Sequence, residues 1–427
     1  MKALAIACAV ASCAICSALT QSWSVTGLNS NTRRVVPDGS GNVLLVSDNY
    51  TTMPRGPAPE IGWQKISPSG TVLASGNFAS TPNKFEAVDA AVCGSYLGVI
   101  AYEGGTTTLA VLVFPLSGGE TTCWTQTNSN GFARLHIRAS GTAFYASACS
   151  FETAYVGKIT TSGTVSWTNT SSPVLPYALT VGTDSSGNDW ISLYGVDPTY
   201  QAGYESEETI GATGTLYAGA GGAGKPTYQD LTDTPIADGG NGNSGDGFGL
   251  QDAVWDPTDA MLFTTGSFAY EYPPNYTTGE YMPNVFAFSL SSITSPSPSE
   301  FENFPVENTQ HTGAEGSRIA YQPSQSGAGP YTFCVASPTA GGAHPYDSFA
   351  VDWATDTLNY YQHTAHPTLV AADSTYAYFA GGGTLYEHVA ATFALNASLT
   401  AAGSTDLLAT AGKVFLVGTD TLVGFAP

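Results

Sequence analysis

Basic residues are scarce in this 427-residue sequence. Lysine and arginine together number 12 against 34 aspartates and glutamates, which gives a formal net charge of -22. A surface this acidic repels phosphate backbones and anionic membranes, so we do not expect nucleic acid as a partner. The same balance is typical of an extracellular or saline setting, of cation binding, or of a surface selected for solubility alone.

Long hydrophobic runs are absent after residue 20. The first 20 residues place a single Lys2 before apolar and small residues, which is the pattern of a secretory signal peptide cut near Ala18 to Thr20. A lipid anchor at Cys13, in the lipobox-like run Val10–Cys13, is the alternative. No later stretch is apolar enough to predict a transmembrane segment. The sequence therefore predicts a secreted, extracellular protein.

Cysteine is sparse once the leader is set aside. Four cysteines remain, and an even number in a secreted chain predicts two disulfides with three possible connectivities. Free buried thiols are the alternative, because a domain of this size does not need cross-links. The disulfide candidates are Cys93, Cys123, Cys149 and Cys334.

Turn formers are abundant: the chain has 48 glycines and 25 prolines, with many threonines and serines. This composition favours many short strands joined by turns. In Asp38–Val46 and again in Asp184–Tyr194, an Asp/Ser/Gly turn leads directly into a strand. A second pattern, Lys-Ile-x-x-Ser-Gly-Thr-Val, occurs at 65–72 and at 158–165. Recurrence of such hairpins indicates a repeat architecture.

The repeats predict an all-β fold, a single β-propeller over residues 21–427. Four short antiparallel strands in about 45 residues make one blade. First-hairpin turns give eight repeats, and merging the short last two would give seven. The last repeat has three strands, and the N-terminal strand Trp23–Gly27 completes it, which removes open sheet edges. We expect long loop insertions at about 195–250 and 268–300; two sandwich-like domains split near 240 are the alternative.

These hairpins resemble secreted bacterial-type propellers with Asp-x-x-Gly-Asn repeats and quinoprotein-like propellers. The matching residues are those at 38–46, 184–194, 69–72 and 162–165. The resemblance implies the fold. It does not extend to a quinone cofactor or to catalytic residues, because the docking tryptophans of quinoproteins have no regular counterpart here.

A glycine-rich acidic run in the first insertion is the best candidate for a metal site. Ca²⁺ prefers several oxygen ligands on a flexible turn, and this run offers four oxygen-bearing side chains without EF-hand spacing. A solvated linker is the alternative. The candidate ligands are Asp238, Asn241, Asn243 and Asp246. Calcium is therefore a possible ligand, and no cofactor is expected to be required.

Histidines cluster late in the chain and raise the question of zinc. His363 and His366 are three residues apart, with His344 and His388 nearby in sequence. Residues i and i+3 of a strand point to opposite faces, so the pair fits a zinc site poorly. We interpret these side chains as ordinary loop histidines.

Two kinds of surface feature accompany the predicted loops. Asn-x-Ser/Thr triplets are candidate glycan sites if the source is eukaryotic, and a tyrosine-rich loop is a candidate sugar or protein contact surface, with packing against a neighbouring blade as the alternative. The triplets begin at Asn49, Asn169, Asn275 and Asn396. The tyrosines are Tyr270, Tyr272, Tyr276 and Tyr281.

The sequence favours a non-enzymatic binding or structural module for extracellular protein or glycan partners. The alternative is a carbohydrate-active hydrolase or lyase that uses carboxylates at the mouth of the propeller channel, with Glu103, Asp252 and Asp352 as examples. Carboxylates converging in the channel favour the enzyme, and a face with no perturbed ionisable cluster favours the module.

Overall fold

In the computed structural model, the described residues lie between 19 and 426, and all their regular elements are β-strands. The omitted internal ranges of four or more residues are 27–31, 49–60, 79–84, 171–174, 184–188, 197–204, 211–227, 231–247, 257–260, 271–279, 290–298, 306–313, 324–328 and 339–346. Within the described part, no helix is long and apolar enough to span a membrane.

The first half of the chain forms β1 and four antiparallel sheets of four strands each. The strands are β1 (Thr20–Thr26); β2 (Thr32–Pro37), β3 (Val43–Asp48), β4 (Ile61–Ile66) and β5 (Val72–Phe78) in sheet 1; β6 (Phe85–Cys93), β7 (Tyr96–Glu103), β8 (Thr108–Pro115) and β9 (Thr122–Thr127) in sheet 2; β10 (Ala133–Ser140), β11 (Ala143–Ser150), β12 (Thr153–Thr160) and β13 (Val165–Asn169) in sheet 3; and β14 (Leu175–Thr183), β15 (Asp189–Val196), β16 (Glu205–Ile210) and β17 (Tyr228–Asp230) in sheet 4.

The second half continues the same order. Its strands are β18 (Phe248–Asp256), β19 (Met261–Tyr270), β20 (Glu280–Ser289) and β21 (Ser299–Pro305) in sheet 5; β22 (Ala314–Gln322), β23 (Tyr331–Pro338), β24 (Ser348–Asp352) and β25 (Thr357–Tyr361) in sheet 6; β26 (Leu369–Ala372), β27 (Tyr376–Gly381), β28 (Thr384–Val389) and β29 (Leu395–Thr400) in sheet 7; and β30 (Asp406–Thr410), β31 (Lys413–Val417) and β32 (Thr421–Ala426) in sheet 8.

The sheets form a closed ring, which makes the chain a β-propeller. The first strand of each sheet contacts the first strand of the next, and β30 of sheet 8 contacts β2 of sheet 1. The N-terminal and C-terminal strands close the ring, because β1 pairs antiparallel with β32 through backbone hydrogen bonds. Thr20 lies opposite Ala426 and Thr26 opposite Thr421. The predicted all-β propeller, closed by the N-terminal strand, is confirmed.

The core lies between neighbouring sheets. Trp63 of sheet 1 packs with Phe85 and Phe114 of sheet 2, and all three side chains are at least 96% buried. The middle strands β3 and β11 are buried along their whole length, because they have a sheet neighbour on each side and a packed sheet on each face. The outermost strands β9 and β13 alternate between half-buried and exposed residues, as expected for strands with one wet face.

The predicted Asp38 turn is present and strongly bonded. The carboxylate oxygen Oδ1 of Asp38 accepts hydrogen bonds from the backbone N–H of Ser40 at 2.7 Å and of Asn42 at 3.0 Å. Gly39 and Gly41 have φ angles of 75° and 84°, which only glycine adopts without strain. Lys65 of β4 places its Nζ atom 2.7 Å from Oδ2 of Asp38. The sister turn at 184–188 lies outside the described residues.

The predicted disulfides are wrong, because the four candidate cysteines are free thiols. Three of them are buried and Cys123 is exposed. Cys93 lies in a core cluster of sheets 2 and 3, whereas Cys334 lies in a cluster of sheets 5 and 6. The Sγ atoms of Cys93 and Cys149 donate to backbone carbonyls, those of Gly141 and Ala133. The extended core between sheets supplies the stability that cross-links give to smaller domains.

Regular strands occupy parts of the two ranges predicted as loop insertions. The first range contains β16 and β17, which complete sheet 4, and the second contains β20. Strand β16 reads Glu205-Ser206-Glu207-Glu208-Thr209-Ile210 and lacks the alternation of apolar and polar residues that marks a half-buried strand. Sequence patterning therefore missed it.

Candidate ligand-binding channel

The innermost strands share one structural position that faces the central channel. In β2, β6, β10, β18 and β22 the pairing register shifts by one residue or more, as in a β-bulge, and the residue after the shift lines the channel. We call these residues, together with the channel-lining Asp406 at the start of β30, the channel ring. Its members are Arg34, Asp89, His136, Asp252, Arg318 and Asp406.

The channel encloses a cavity of about 570 Å³ lined by the innermost strands of seven sheets. That volume lies in the range of small-molecule pockets, roughly 300–1,000 Å³. Four of the six arginines of the chain line it, namely Arg34, Arg134, Arg138 and Arg318. A chain with a net charge of -22 thus places most of its guanidinium groups around a single cavity.

Each of the three ring aspartates ties its own sheet to the next one. Each accepts a hydrogen bond from the backbone N–H that follows the ring residue of the next sheet. The Oδ2 atom of Asp89 accepts from Ile137 at 3.1 Å, that of Asp252 from Ile319 at 3.2 Å, and that of Asp406 from Val35 at 2.7 Å. Innermost strands are edge strands of their sheets, so these amides have no partner strand on the channel side. The carboxylates supply the missing acceptors.

Asp89 lies between two guanidinium groups. The Nη1 atom of Arg138 is 2.7 Å from Oδ2 of Asp89, and it also donates to the carbonyl oxygen of Ile137 at 2.8 Å. The Nε atom of Arg34 is 3.6 Å from Oδ1 of Asp89, and its Nη1 atom is 3.9 Å from Oδ1 of Asp406. Burial alone would raise the pKa of Asp89, but the charges of Arg138 and Arg34 outweigh it and lower the pKa.

The pKa values of the other two ring carboxyls are shifted in the opposite direction. Burial raises the pKa of Asp252 against the opposing charge of Arg318. Burial also raises the pKa of Asp406 against the charge of Arg34. The channel therefore holds one carboxylate that resists protonation and two carboxyls that take up a proton more readily than aspartate in water.

His136 brings an unsatisfied polar atom to the ring. Its Nε2 atom is buried and has no hydrogen-bond partner among the described residues. Burial lowers the pKa of His136 to about 4, and the charge of Arg138 lowers it further against the attraction of Asp89, so the imidazole is neutral at pH 7. Two residues earlier, Arg134 has a φ angle of 52°, a left-handed conformation that side chains rarely adopt.

Sequence reasoning placed one of its three example carboxylates correctly. Asp252 lines the channel, whereas Glu103 ends β7 and Asp352 ends β24, away from the lining. It missed the other ring residues. A signal for Asp89 was available: β6 and β18 both begin with Phe and carry Asp-Ala at positions five and six, Asp89 in one and Asp252 in the other.

The structure describes only part of the other predicted sites. The four calcium candidates, Asp238, Asn241, Asn243 and Asp246, lie outside the described residues, as do Tyr272 and Tyr276 of the contact surface. Tyr270 ends β19, and Tyr281 lies in β20 opposite Ala269. Elsewhere in the described ranges, no group of three or more histidines, cysteines or carboxylates is placed to hold a metal ion.

Two of the four sequons can be located, and they are not in loops as expected. Asn169 ends β13 and Asn396 lies in β29, both outermost strands, where exposed Ser and Thr positions generate such triplets. The Nδ2 atom of Asn396, to which a glycan would be attached, donates to Oε1 of the buried Glu387 at 2.6 Å. Asn49 and Asn275 lie outside the described residues.

A buried polar chain joins sheets 6 and 7. His363 Nδ1 is 2.5 Å from Oδ1 of Asp347, and His363 Nε2 is 2.9 Å from Nε2 of His388. His388 Nδ1 lies 3.0 Å from the carbonyl oxygen of Phe393, which can only accept, so Nδ1 donates. All three ionisable side chains are at least 95% buried. His363 lies in the loop after β25, as expected, but it is buried. His388 lies in strand β28, so its interpretation as a loop histidine is wrong.

The hydrogen-bond geometry shows which histidine donates in the contact between the two rings. A neutral His388 that donates through Nδ1 presents a lone pair at Nε2, so the hydrogen between the two rings belongs to His363. A second hydrogen lies between His363 Nδ1 and Asp347. Burial lowers the pKa of His388 to about 4, which keeps it neutral. The unit links the two sheets through a continuous line of buried hydrogen bonds.

No protein-family model matches the chain, and no curated protein matches it in sequence. Solved structures match its fold. BamB from Moraxella catarrhalis is similar over 96% of this chain and 100% of its own, with a TM-score of 0.56 and 10% identity. The Dos1 propeller is similar over 96% of this chain and 95% of its own, with a TM-score of 0.57 and 10% identity. At this identity the likeness shows the β-propeller fold.

Proposed function

We propose that this β-propeller is a secreted or cell-surface binding module without enzymatic activity, for protein or glycan partners. The observation that carries the proposal is the engagement of the ring carboxylates. Asp89, Asp252 and Asp406 each accept a backbone N–H of the next sheet, and Asp89 also pairs with Arg138. Groups that hold the ring together are constrained against the proton transfers and movements of a catalytic pair. The preformed cavity that these carboxylates line supports ligand binding on a rigid scaffold.

Secretion is part of the proposal and adds a constraint on the leader. Leu19 is 98% buried in the core cluster of sheets 7 and 8, and β1 starts at Thr20. A cut after Ala18 leaves both in the mature chain. Expression from the full sequence, followed by N-terminal sequencing of the protein in the medium, should give Leu19 as the first residue. Retention of the intact leader in the cell contradicts the proposal.

The binding role is tested by thermal melts of the full mature chain with a panel of soluble polysaccharides, and by assays for released reducing ends or unsaturated products. We expect the melting temperature to rise with one or more glycans, because a ligand of the folded state stabilises it, with no product released. Product formation that disappears in an Asp406→Asn variant would show that the protein is an enzyme.

A carbohydrate-active enzyme is the second candidate, and one observation favours it. Arg34 lies within 4 Å of both Asp89 and Asp406, whose pKa values are displaced in opposite directions. Glycoside hydrolysis requires such a pair, with one carboxyl protonated and one ionised. The product assay above separates this candidate from the module.

A further inference from the structure

We infer that the central channel binds a small hydroxylated carboxylate of the sugar-acid class, held by Arg138, Arg34 and His136. The inference rests on the proposed binding function and names its site and ligand chemistry. It follows from three properties of the cavity: its size, its charge and its unsatisfied polar atom.

The size of the cavity selects a small molecule. A volume of about 570 Å³, walled by the innermost strands of seven sheets, accommodates a mono- or disaccharide-sized ligand. A protein partner would need an open surface of about 800 Å² on its side of the interface, which a channel cannot offer. The cavity therefore points to a soluble ligand or to one end of a glycan.

The charge of the cavity selects a carboxylate. Four guanidinium groups line it against three carboxyls, and two of those carboxyls have raised pKa values. Arg138 uses its Nη1 atom for Asp89 and Ile137, while 42% of its side chain remains exposed. Arginine presents several N–H donors in a planar fork that matches a carboxylate. An anionic group is thus attracted to this cavity despite the negative charge of the whole protein.

The lining also requires hydroxyl groups. His136 Nε2 is buried without a partner, and such an atom costs free energy until a ligand satisfies it. A hydroxyl group both donates and accepts, so it matches this nitrogen in either tautomer and also donates to the oxygens of Asp252 and Asp406. A simple carboxylate such as acetate leaves the nitrogen of His136 unsatisfied. A polyhydroxylated acid satisfies the arginines, the histidine and the aspartates together.

The experiment is calorimetric titration of the full mature chain with D-glucuronate, D-glucose and acetate at low ionic strength. We expect binding of glucuronate that weakens with added salt, and binding of glucose and acetate at least tenfold weaker. Equal binding of acetate would overturn the polyol part of the inference, and equal binding of glucose would overturn the carboxylate part.

Three variants test the site. Arg138→Gln should weaken glucuronate binding about tenfold. The matched control is Arg33→Gln. Arg33 is next to Arg34 in β2 and also pairs with an aspartate, the buried Asp48 at 3.0 Å, but it does not line the cavity. His136→Leu should weaken binding by a similar factor while leaving the melting temperature of the free protein unchanged or higher, since it removes an unpaired buried atom. Unchanged glucuronate affinity in Arg138→Gln and His136→Leu would overturn the inference.

The same samples separate this inference from the proposed function. If a polysaccharide from the panel still binds to Arg138→Gln with wild-type affinity, the protein is a glycan-binding module and the channel is not its site. If neither glucuronate nor any polysaccharide binds to the wild-type chain, the inference and the glycan-binding part of the proposal fail together.

Discussion

At the residue scale, single carboxylates bear several hydrogen bonds each and hold local geometry. Asp38 is the clearest case, because its side chain is 98% buried and contacts Ser40, Asn42 and Lys65. Burial alone would raise the pKa of Asp38, but these hydrogen bonds, led by Lys65, lower it to about 2. The hairpin between β2 and β3 thus depends on an ionised side chain.

Two substitutions of Asp38 should destabilise the protein to different extents. Asp38→Ala removes both the turn acceptor and the partner of Lys65, and we expect a loss of about 2–4 kcal/mol in unfolding free energy. Asp38→Asn retains an acceptor for the turn amides but loses the charge, so its loss should be roughly half. Denaturant melts of the two variants measure this. Equal losses would show that the ion pair between Asp38 and Lys65, and not the hydrogen bonds of the turn, carries the effect.

At the element scale, the closing strand β1 is held by one aromatic side chain in particular. Trp23 donates through Nε1 to the carbonyl oxygen of Pro68 at 2.8 Å, and its ring packs against Gly70, Gly424 and Phe415. A Cβ atom on Gly424 would lie 2.4 Å from the Trp23 ring, so the strand β32 needs glycine there. Trp23 thereby joins sheet 8 to the last turn of sheet 1, between β4 and β5.

Trp23→Ala should loosen the closure. We expect the free energy of unfolding to fall by about 2–3 kcal/mol, since the side chain is partly buried. Amide hydrogen exchange should accelerate more in β32 than in β3. Trp124→Ala is the matched control, because Trp124 is also partly buried but lies in β9 of sheet 2, away from the closure. If both variants raise exchange in β32 equally, β1 is not what closes the ring.

The elements also show which features local sequence patterns predict. The Asp38 turn and the hairpins at Gly70 and Gly163 depend on contacts within a few residues, so their sequence signature sufficed. For the channel ring, the likeness of β6 and β18 marks only two of the six residues. A register shift places Asp89 rather than its neighbour Val88 at the ring position. Such a shift inverts the alternation of side chains along the strand, from which the face of each residue is predicted.

Contacts between residues far apart in the sequence could not be predicted either. His363 and His388 are 25 residues apart and meet only because sheets 6 and 7 are adjacent. Two of the four disulfide candidates, Cys93 and Cys334, lie in different clusters. Nothing local distinguishes a histidine that will meet another from one in a loop. The site is therefore a property of how sheets are packed around the channel.

At the scale of the whole molecule, two buried neutral histidines should set the acid limit of stability. The pKa values of His136 and His388 fall from 6.5 to about 4 on folding, chiefly through burial. The unfolded chain takes up these protons below pH 6.5 and the folded chain only near pH 4. These two groups therefore do not lower the stability of the protein above pH 6.5, and they lower it progressively between about pH 6.5 and 4, by roughly 3 kcal/mol for His388.

Melting temperatures from pH 8 to pH 4 measure this slope. The raised pKa values of Asp252 and Asp406 act in the opposite sense at the acid end, so a variant must isolate the histidine. His388→Gln, which removes the titrating ring beside His363, Asp347 and Glu387, should melt lower at pH 8 but with a visibly flatter slope. A slope identical to that of the wild type would show that His388 does not titrate on unfolding.

The pairing of β1 with β32 also determines how the ring responds to force. Because Thr20 lies opposite Ala426, the two strand ends leave the propeller side by side at one end of the same ladder. Tension applied between them loads the hydrogen bonds one after another, as in a zipper, and not all at once as in shear. A propeller tethered by these two points should therefore open along its seam at low force, while the eight-sheet ring resists the same force applied across other strands.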